Sequence, residues 1–228
     1  MIRIYSILPS LFQAVIYLVT ITCFKLFCHL KVSGREGLDS LAPGPIIFAA
    51  NHSSEWDGPL IRTVLPFFSR RFTPMYYVSR PKAFYTDSGW RKTIYGGHFF
   101  NMLGAYPAYS GHHDYRYSLQ NHLLILNHDS VSLTIFPEGQ RTKTGAIGEA
   151  HGGVAFLAYE TGAVVVPVAI DGLVRLSFSD FFLRRRKVSV SFGRPIDSKT
   201  LVPQAKPTVL DFKSASAYIL DIIKSMRN

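Results

Sequence analysis

A chain of 228 residues, 47% hydrophobic and 18% charged, is long enough for one well-buried domain and too short for two comfortable ones. Lysine and arginine outnumber aspartate and glutamate 25 to 15, an excess that suits nucleic acid, an anionic membrane surface or phosphorylated and acidic partners. Abundant Phe and Tyr suit a membrane interface at least as well as nucleic acid, and two cysteines, Cys23 and Cys28, exclude a disulfide framework and fit a reducing compartment.

Residues 4–24 carry no charge and are rich in Leu, Ile, Val, Phe and Tyr. At about 1.5 Å per residue such a helix spans a hydrocarbon core or lies deeply in one leaflet. Pro9, Gln13 and Thr20 make it an imperfect spanning helix, so an interfacial or re-entrant anchor stays open beside it. No small-x-small site follows, which argues against a cleavable signal peptide. A buried core helix is the alternative, and membrane attachment is the expectation: residues 1–30 as anchor, 31–228 as the working domain.

Residues 31–38 read as a short strand and turn. The apolar run Pro45-Ile46-Ile47-Phe48-Ala49-Ala50 reads as a buried strand ending at Asn51-His52-Ser53-Ser54-Glu55-Trp56-Asp57-Gly58-Pro59. A His and an Asp delivered at a strand end can form a general-base pair, the carboxylate fixing the tautomer and stabilising the imidazolium. Five residues along one helix are about 500° apart, so the two side chains meet only if His52 precedes the helix and Asp57 lies in its first turn. Ser53 or Ser54 supplies the expected N-cap, and Pro59 is tolerated only in a first turn. Two other readings stand beside the pair: Ser54-x-x-Asp57 as a capping box, and His52, Glu55 and Asp57 as metal ligands without a His-x-x-x-His to support them.

Residues 60–68 continue as a helix that Pro66 ends or kinks. Residues 75–79 are β-like and lead into Arg80-Pro81-Lys82. Gly96, Gly97 and Gly104 bracket an apolar segment, and 117–127 has helical apolar spacing. The β-branched run 131–136 enters Pro137-Glu138-Gly139-Gln140-Arg141-Thr142, where Gly139 allows a ligand to approach the backbone and Arg141 suits a phosphate. A surface ion pair between Glu138 and Arg141 is the commoner fate of such residues. Residues 152–161 read as a helix with Gly162 as C-cap, and 163–170 as a strand of a parallel sheet, with Pro167 implying an edge or a bulge. Phe181-Phe182-Leu183-Arg184-Arg185-Arg186-Lys187 joins aromatic to basic residues: an ordinary solvated face, or a contact for anionic headgroups or an acidic carrier. A strand at 188–192 and an amphipathic helix at 208–226 close the chain. The alternation gives an α/β fold: a single mixed, largely parallel sheet flanked by helices, with an N-terminal membrane-associated helical segment.

With these stretches placed, the chain resembles the phosphatidic-acid-forming glycerophospholipid acyltransferases. Asn51-His52-x4-Asp57 matches that family's first motif. Phe136-Pro137-Glu138-Gly139-Gln140-Arg141 matches the third, with Gln140 where Thr is usual. Val165-Val166-Pro167-Val168 resembles the fourth, and Phe192-Gly193-Arg194-Pro195-Ile196 looks like the strand end near the family's carboxyl terminus. The second motif departs: Tyr109 follows Gly104-Ala105-Tyr106-Pro107-Ala108 where an acceptor-binding Arg is usual, and the nearest arginine is Arg116.

The resemblance implies transfer of an acyl group from acyl-CoA or acyl carrier protein to the free hydroxyl of a lysophospholipid, with 1-acylglycerol 3-phosphate the leading acceptor. His52 and Asp57 are then catalytic, Glu138 and Gly139 shape the acceptor site, Arg141 binds its phosphate with Arg116 as the substitute for the missing arginine, and Asn51 fixes the loop or donates near the developing oxyanion. No metal or other cofactor is expected, because a thioester is already activated. Membrane lipids and the two substrates are the expected partners. The domain is expected at the membrane, facing the cytoplasm where such donors are made. A different lysolipid acceptor, or a non-catalytic lipid-binding protein of the same fold, is the alternative. Nucleic acid is not an expected partner, since basic residues are scattered outside 184–187 and no nucleic-acid motif occurs.

Overall fold

A computed structural model of the chain describes residues 2–86, 89, 97–109, 114–127 and 131–227. In chain order the elements are α1 (Ile2–Phe27), β1 (His29–Ser33), β2 (Ile46–Ala50), α2 (Asp57–Thr63), β3 (Met75–Ser79), α3 (His98–Met102), β4 (Ala105–Pro107) and α4 (Tyr115–Ser118). They continue with α5 (Gln120–Leu126), β5 (Ser132–Ile135), α6 (Gly153–Thr161), β6 (Val164–Asp171), α7 (Phe178–Phe182), β7 (Lys187–Phe192), α8 (Ser198–Leu201) and α9 (Val209–Met226).

Among the described residues, seven strands form one sheet in the order β1-β7-β6-β2-β5-β3-β4. β6, β2, β5, β3 and β4 run parallel to one another. β7 pairs antiparallel with β6, and β1 parallel with β7, so these two strands run the other way. The sheet is mixed and largely parallel, as the alternation of elements predicts. The reversal has a geometric result: β1 and β7 begin at the edge where the other five strands end.

Burial follows the two-residue pleat. Ile47, Ala49, Leu133 and Val165 face one side, where Leu123 and Leu126 of α5, Val154 and Leu157 of α6, and Ile219, Leu220 and Ile223 of α9 cover them. Ile46, Phe48, Val166 and Val168 face the other side, beneath Phe24 of α1 and Leu60 and Ile61 of α2. Since β2 is buried at every position, it reads as a continuous apolar run and not as an alternating one.

Helix α1 is built into the domain. Pro9, Gln13, Thr20 and Phe24 lie on its buried side, while Ile7, Leu11, Val15, Leu18 and Leu26 form an exposed stripe. Gln13 Nε2 donates to the carbonyls of Met75 (2.6 Å) and Leu103 (2.9 Å), and its Oε1 accepts from Met75 N–H (2.9 Å). A polar residue that weakens the helix as a bilayer span therefore docks it on β3. Gly104 makes room for this contact: its φ is +85°, and a Cβ there would sit 2.8 Å from the Met75 carbonyl oxygen and 3.0 Å from Gln13 Nε2. The helix stretch Ile7–Phe27 is long and apolar enough to cross a membrane.

Other expectations are refined. α2 stops at Thr63, ahead of Pro66, because the residue before a proline avoids helical geometry. The helical spacing of 117–127 resolves into α4 and α5, broken at Leu119 (φ −114°, ψ 18°). Gly162 caps α6 with φ 67°, and Thr208 and Asp211 form a full capping box on α9. Pro167 sits at a bulge, one of the two settings its residue type allows. Val168 pairs with Phe192 but Val165 with Ile196, so residues 193–195 oppose only 166–167. Gly96 lies outside the described residues.

Candidate active site

Strand β2 delivers His52 to the sheet edge through Asn51, whose amide acts as an extra rung of the ladder. Its Nδ2 donates to the Ile170 carbonyl and its Oδ1 accepts from Ile170 N–H, both at 2.8 Å. These bonds hold the loop, one of the two roles expected of Asn51. The chain then turns, and α2 begins at Asp57 with Pro59 in its first turn. Neither serine is the N-cap, a position that Trp56 occupies without a side-chain bond. Instead the Asp57 carboxylate reaches back: Oδ2 accepts from Ser53 N–H (2.6 Å), Ser54 N–H (2.7 Å) and His52 Nδ1 (2.9 Å). The capping and catalytic readings thus merge in one oxygen.

Asp57 is fully buried, and its charge is held by charge-assisted bonds rather than by water. The His52 side chain stays 23% exposed. Phe136, at the end of β5, stacks on the imidazole with ring centroids 4.0 Å apart and planes 12° apart. With Nδ1 engaged and the ring clamped, Nε2 is the nitrogen that can take a proton from a hydroxyl. Of the three residues in the metal reading, Asp57 accepts from N–H donors and Glu55 pairs with Arg141 (3.2 Å).

The loop after β5 wraps the histidine. Glu138, buried, accepts from His52 N–H through Oε1 (2.9 Å) and from Gly148 N–H through Oε2 (2.8 Å). Thr142 N–H returns to the His52 carbonyl at 2.8 Å. Glu138 is therefore a brace between two loops and not a surface ion pair with Arg141, which pairs with Glu55. Gly139 has φ +64°, and a Cβ on it would lie 2.9 Å from the His151 ring, so a side chain there would be strained and crowded. Arg80, the first residue past β3, directs Nη2 at the Gly139 carbonyl (3.4 Å) and lies over the Phe84 ring at 4.0 Å.

The family model described as Acyltransferase matches residues 29–171, more than half of the chain, and these residues contain every part of the arrangement above. The chain belongs to the acyltransferase family. A chloroplastic 1-acyl-sn-glycerol-3-phosphate acyltransferase, LPAT1 of Arabidopsis thaliana, is 26% identical over 173 residues, covering 75% of this chain and 44% of that protein. The chain thus matches less than half the length of that relative. The crystal structure of PlsC from Thermotoga maritima, a 1-acyl-sn-glycerophosphate acyltransferase, shares the fold with a TM-score of 0.58 at 20% identity. The match covers 90% of this chain and 74% of the other.

Within this acyltransferase domain, the expected substitute for the second-motif arginine is not at the site. Arg116 is on α4 and pairs with Glu160 in the last turn of α6, whose first turn is the end nearer the Glu138 loop. Tyr109, in the departing position, packs on Tyr117 with ring centroids 6.0 Å apart. The second guanidinium comes from the neighbouring strand end, as Arg80. Its signal in the sequence was a basic residue directly after the β-like run 75–79; what was missing was the strand order that sets β3 beside β5.

Proposed function

We propose that this chain is an acyltransferase that moves a fatty acyl group from a thioester, acyl-CoA or acyl carrier protein, to the free hydroxyl of 1-acylglycerol 3-phosphate. The observation that carries the reading is the part-exposed His52, paired with the buried Asp57 and facing a loop flanked by two guanidinium groups, Arg141 and Arg80. His52 Nε2 takes the hydroxyl proton as the oxygen attacks the thioester carbonyl. The C–S bond breaks, and the proton passes from the imidazolium to the departing thiolate, leaving ester and free thiol. Asp57 holds the imidazolium through the transfer.

Arg141 and Arg80 take the acceptor phosphate. The Arg141–Glu55 pair is 43% exposed on both sides, and such pairs contribute at most about 1 kcal/mol, so a phosphate dianion competes with Glu55 readily. LPAT1 and PlsC are both named for the same acceptor, which supports this choice. Docking of α1 through Gln13, with its apolar stripe turned outward, supports a helix lying in one leaflet rather than crossing it. Donors made in the cytoplasm assign the domain to that face of the membrane.

The test is thiol release by the detergent-purified chain with acyl-CoA and acyl carrier donors against a panel of lysolipids. The expected result is release that requires 1-acylglycerol 3-phosphate and vanishes in His52→Ala. In Arg80→Gln and Arg141→Gln the acceptor KM rises roughly tenfold or more, while Arg116→Gln leaves it unchanged. Tyr109 in the arginine position favours one second reading, an acceptor with a different headgroup, which would appear as His52-dependent release with another lysolipid. Absence of release with every pair would favour a lipid-binding protein of the same fold or an acceptor outside the panel.

A further inference from the structure

We infer that residues 182–185 form a second membrane-contact point, distinct from α1, that docks on an anionic bilayer surface and presents the catalytic edge to the leaflet. The inference rests on the membrane reading of α1 above.

Three observations carry it. The first is topological: because β7 runs against β6, the turn that leads into β7 stands at the edge where β2 ends in His52. By the same reversal α1 ends there too, feeding β1. The second is contact. Phe181 packs on Phe24 (6.0 Å between centroids) and Phe27 (5.1 Å), and Phe182 packs edge-on against Phe27 (5.2 Å). The tip thus continues the apolar surface of the helix instead of standing apart from it. The third is what the tip exposes: Phe182 and Leu183 are 59% and 58% accessible, followed at once by exposed Arg184 and Arg185.

The base of the tip is rigid. Ser177 caps α7 by accepting from Asp180 N–H, and Asp180 Oδ2 accepts from Arg186 Nε (3.1 Å) and Nη2 (2.9 Å). The Arg186 carbonyl accepts from His29 N–H at 3.1 Å, tying the tip to the start of β1. Arg186 is spent on this frame, whereas Arg184, at φ +56°, turns the chain outward. Two apolar side chains followed by two cations is the order an interface demands, acyl boundary first and headgroups next. Each basic residue at an anionic surface adds to the attraction, and the chain's net positive charge has the matching sign.

The experiment uses the full chain in phosphatidylcholine vesicles with and without phosphatidylglycerol. Phe182→Trp, Val15→Trp on the exposed stripe of α1, and Tyr218→Trp on the outer side of α9 are each compared with the parent for quenching by acyl-chain-brominated lipid. Position 182 should be quenched like position 15, and position 218 should not. Arg184→Gln/Arg185→Gln should weaken binding to phosphatidylglycerol vesicles roughly tenfold or more and leave neutral vesicles unaffected. Quenching at 15 without quenching at 182 overturns the second contact and leaves α1 as the attachment; quenching at neither overturns the membrane reading itself. Unchanged vesicle binding with lower turnover on acyl carrier protein, but not on acyl-CoA, reassigns the arginines to an acidic carrier and also overturns the inference.

Discussion

Oδ2 of Asp57 accepts three hydrogen bonds in a site closed to water, and this decides what a substitution there does. Asp57→Asn keeps an oxygen for the Ser53 and Ser54 amides but removes the negative charge that holds an imidazolium. Turnover should fall roughly a thousandfold, with the melting temperature much less affected; steady-state thiol release beside a thermal melt checks both. His52, Asp57 and the break between them were legible because a five-residue spacing admits few geometries that bring the two side chains together. The partners of Asn51 and Glu138 were not. An amide that replaces a strand rung at Ile170 and a carboxylate that braces Gly148 depend on partners far along the chain, which local spacing does not reveal. Arg116 was chosen by proximity in sequence, and its pairing with Glu160 likewise depends on a partner far along the chain.

Helix α1 shows how one polar residue fixes an element. Gln13 satisfies both the N–H and the carbonyl of Met75, so Gln13→Leu strands two buried backbone groups. Each orphaned group costs about 1–3 kcal/mol, and the variant should lose several degrees of melting temperature in detergent while Val15→Ser, on the exposed stripe, stays near the parent. Apolar length made the helix legible; its docked face was not, because Pro9, Gln13 and Thr20 read as flaws until β3 supplied their partners. On α5, burial of His122 pushes its imidazole down from 6.5 to about 4, with backbone hydrogen bonds to Tyr106 and Tyr77 working the other way. The unfolded chain therefore takes a proton first as the pH falls. Stability present above about 6.5 is withdrawn towards pH 4, by on the order of 3 kcal/mol. His122→Gln, which can still donate to Tyr106, should flatten the acid limb of a melting-temperature profile; an unchanged limb would show that other groups set it.

At the scale of the whole molecule, the alternation of apolar runs and helices was enough for a mixed, largely parallel sheet, and Pro167 was enough for an edge or a bulge, between which strand pairing decided. The reversed pair β1 and β7 was not legible, because strand direction is set by tertiary pairing and not by composition. Yet that reversal is what puts the end of α1, the Phe182 tip and His52 on a single rim. A lysolipid lifted whole into water would expose its chain at about 0.8 kcal/mol per methylene, about 12 kcal/mol for a sixteen-carbon tail. On the function and membrane contact proposed above, a rim lying on the leaflet removes that barrier: the acceptor arrives by sideways diffusion with its tail still among its neighbours, and only the hydroxyl and phosphate rise to meet the histidine. The product then stays in the monolayer from which its precursor came.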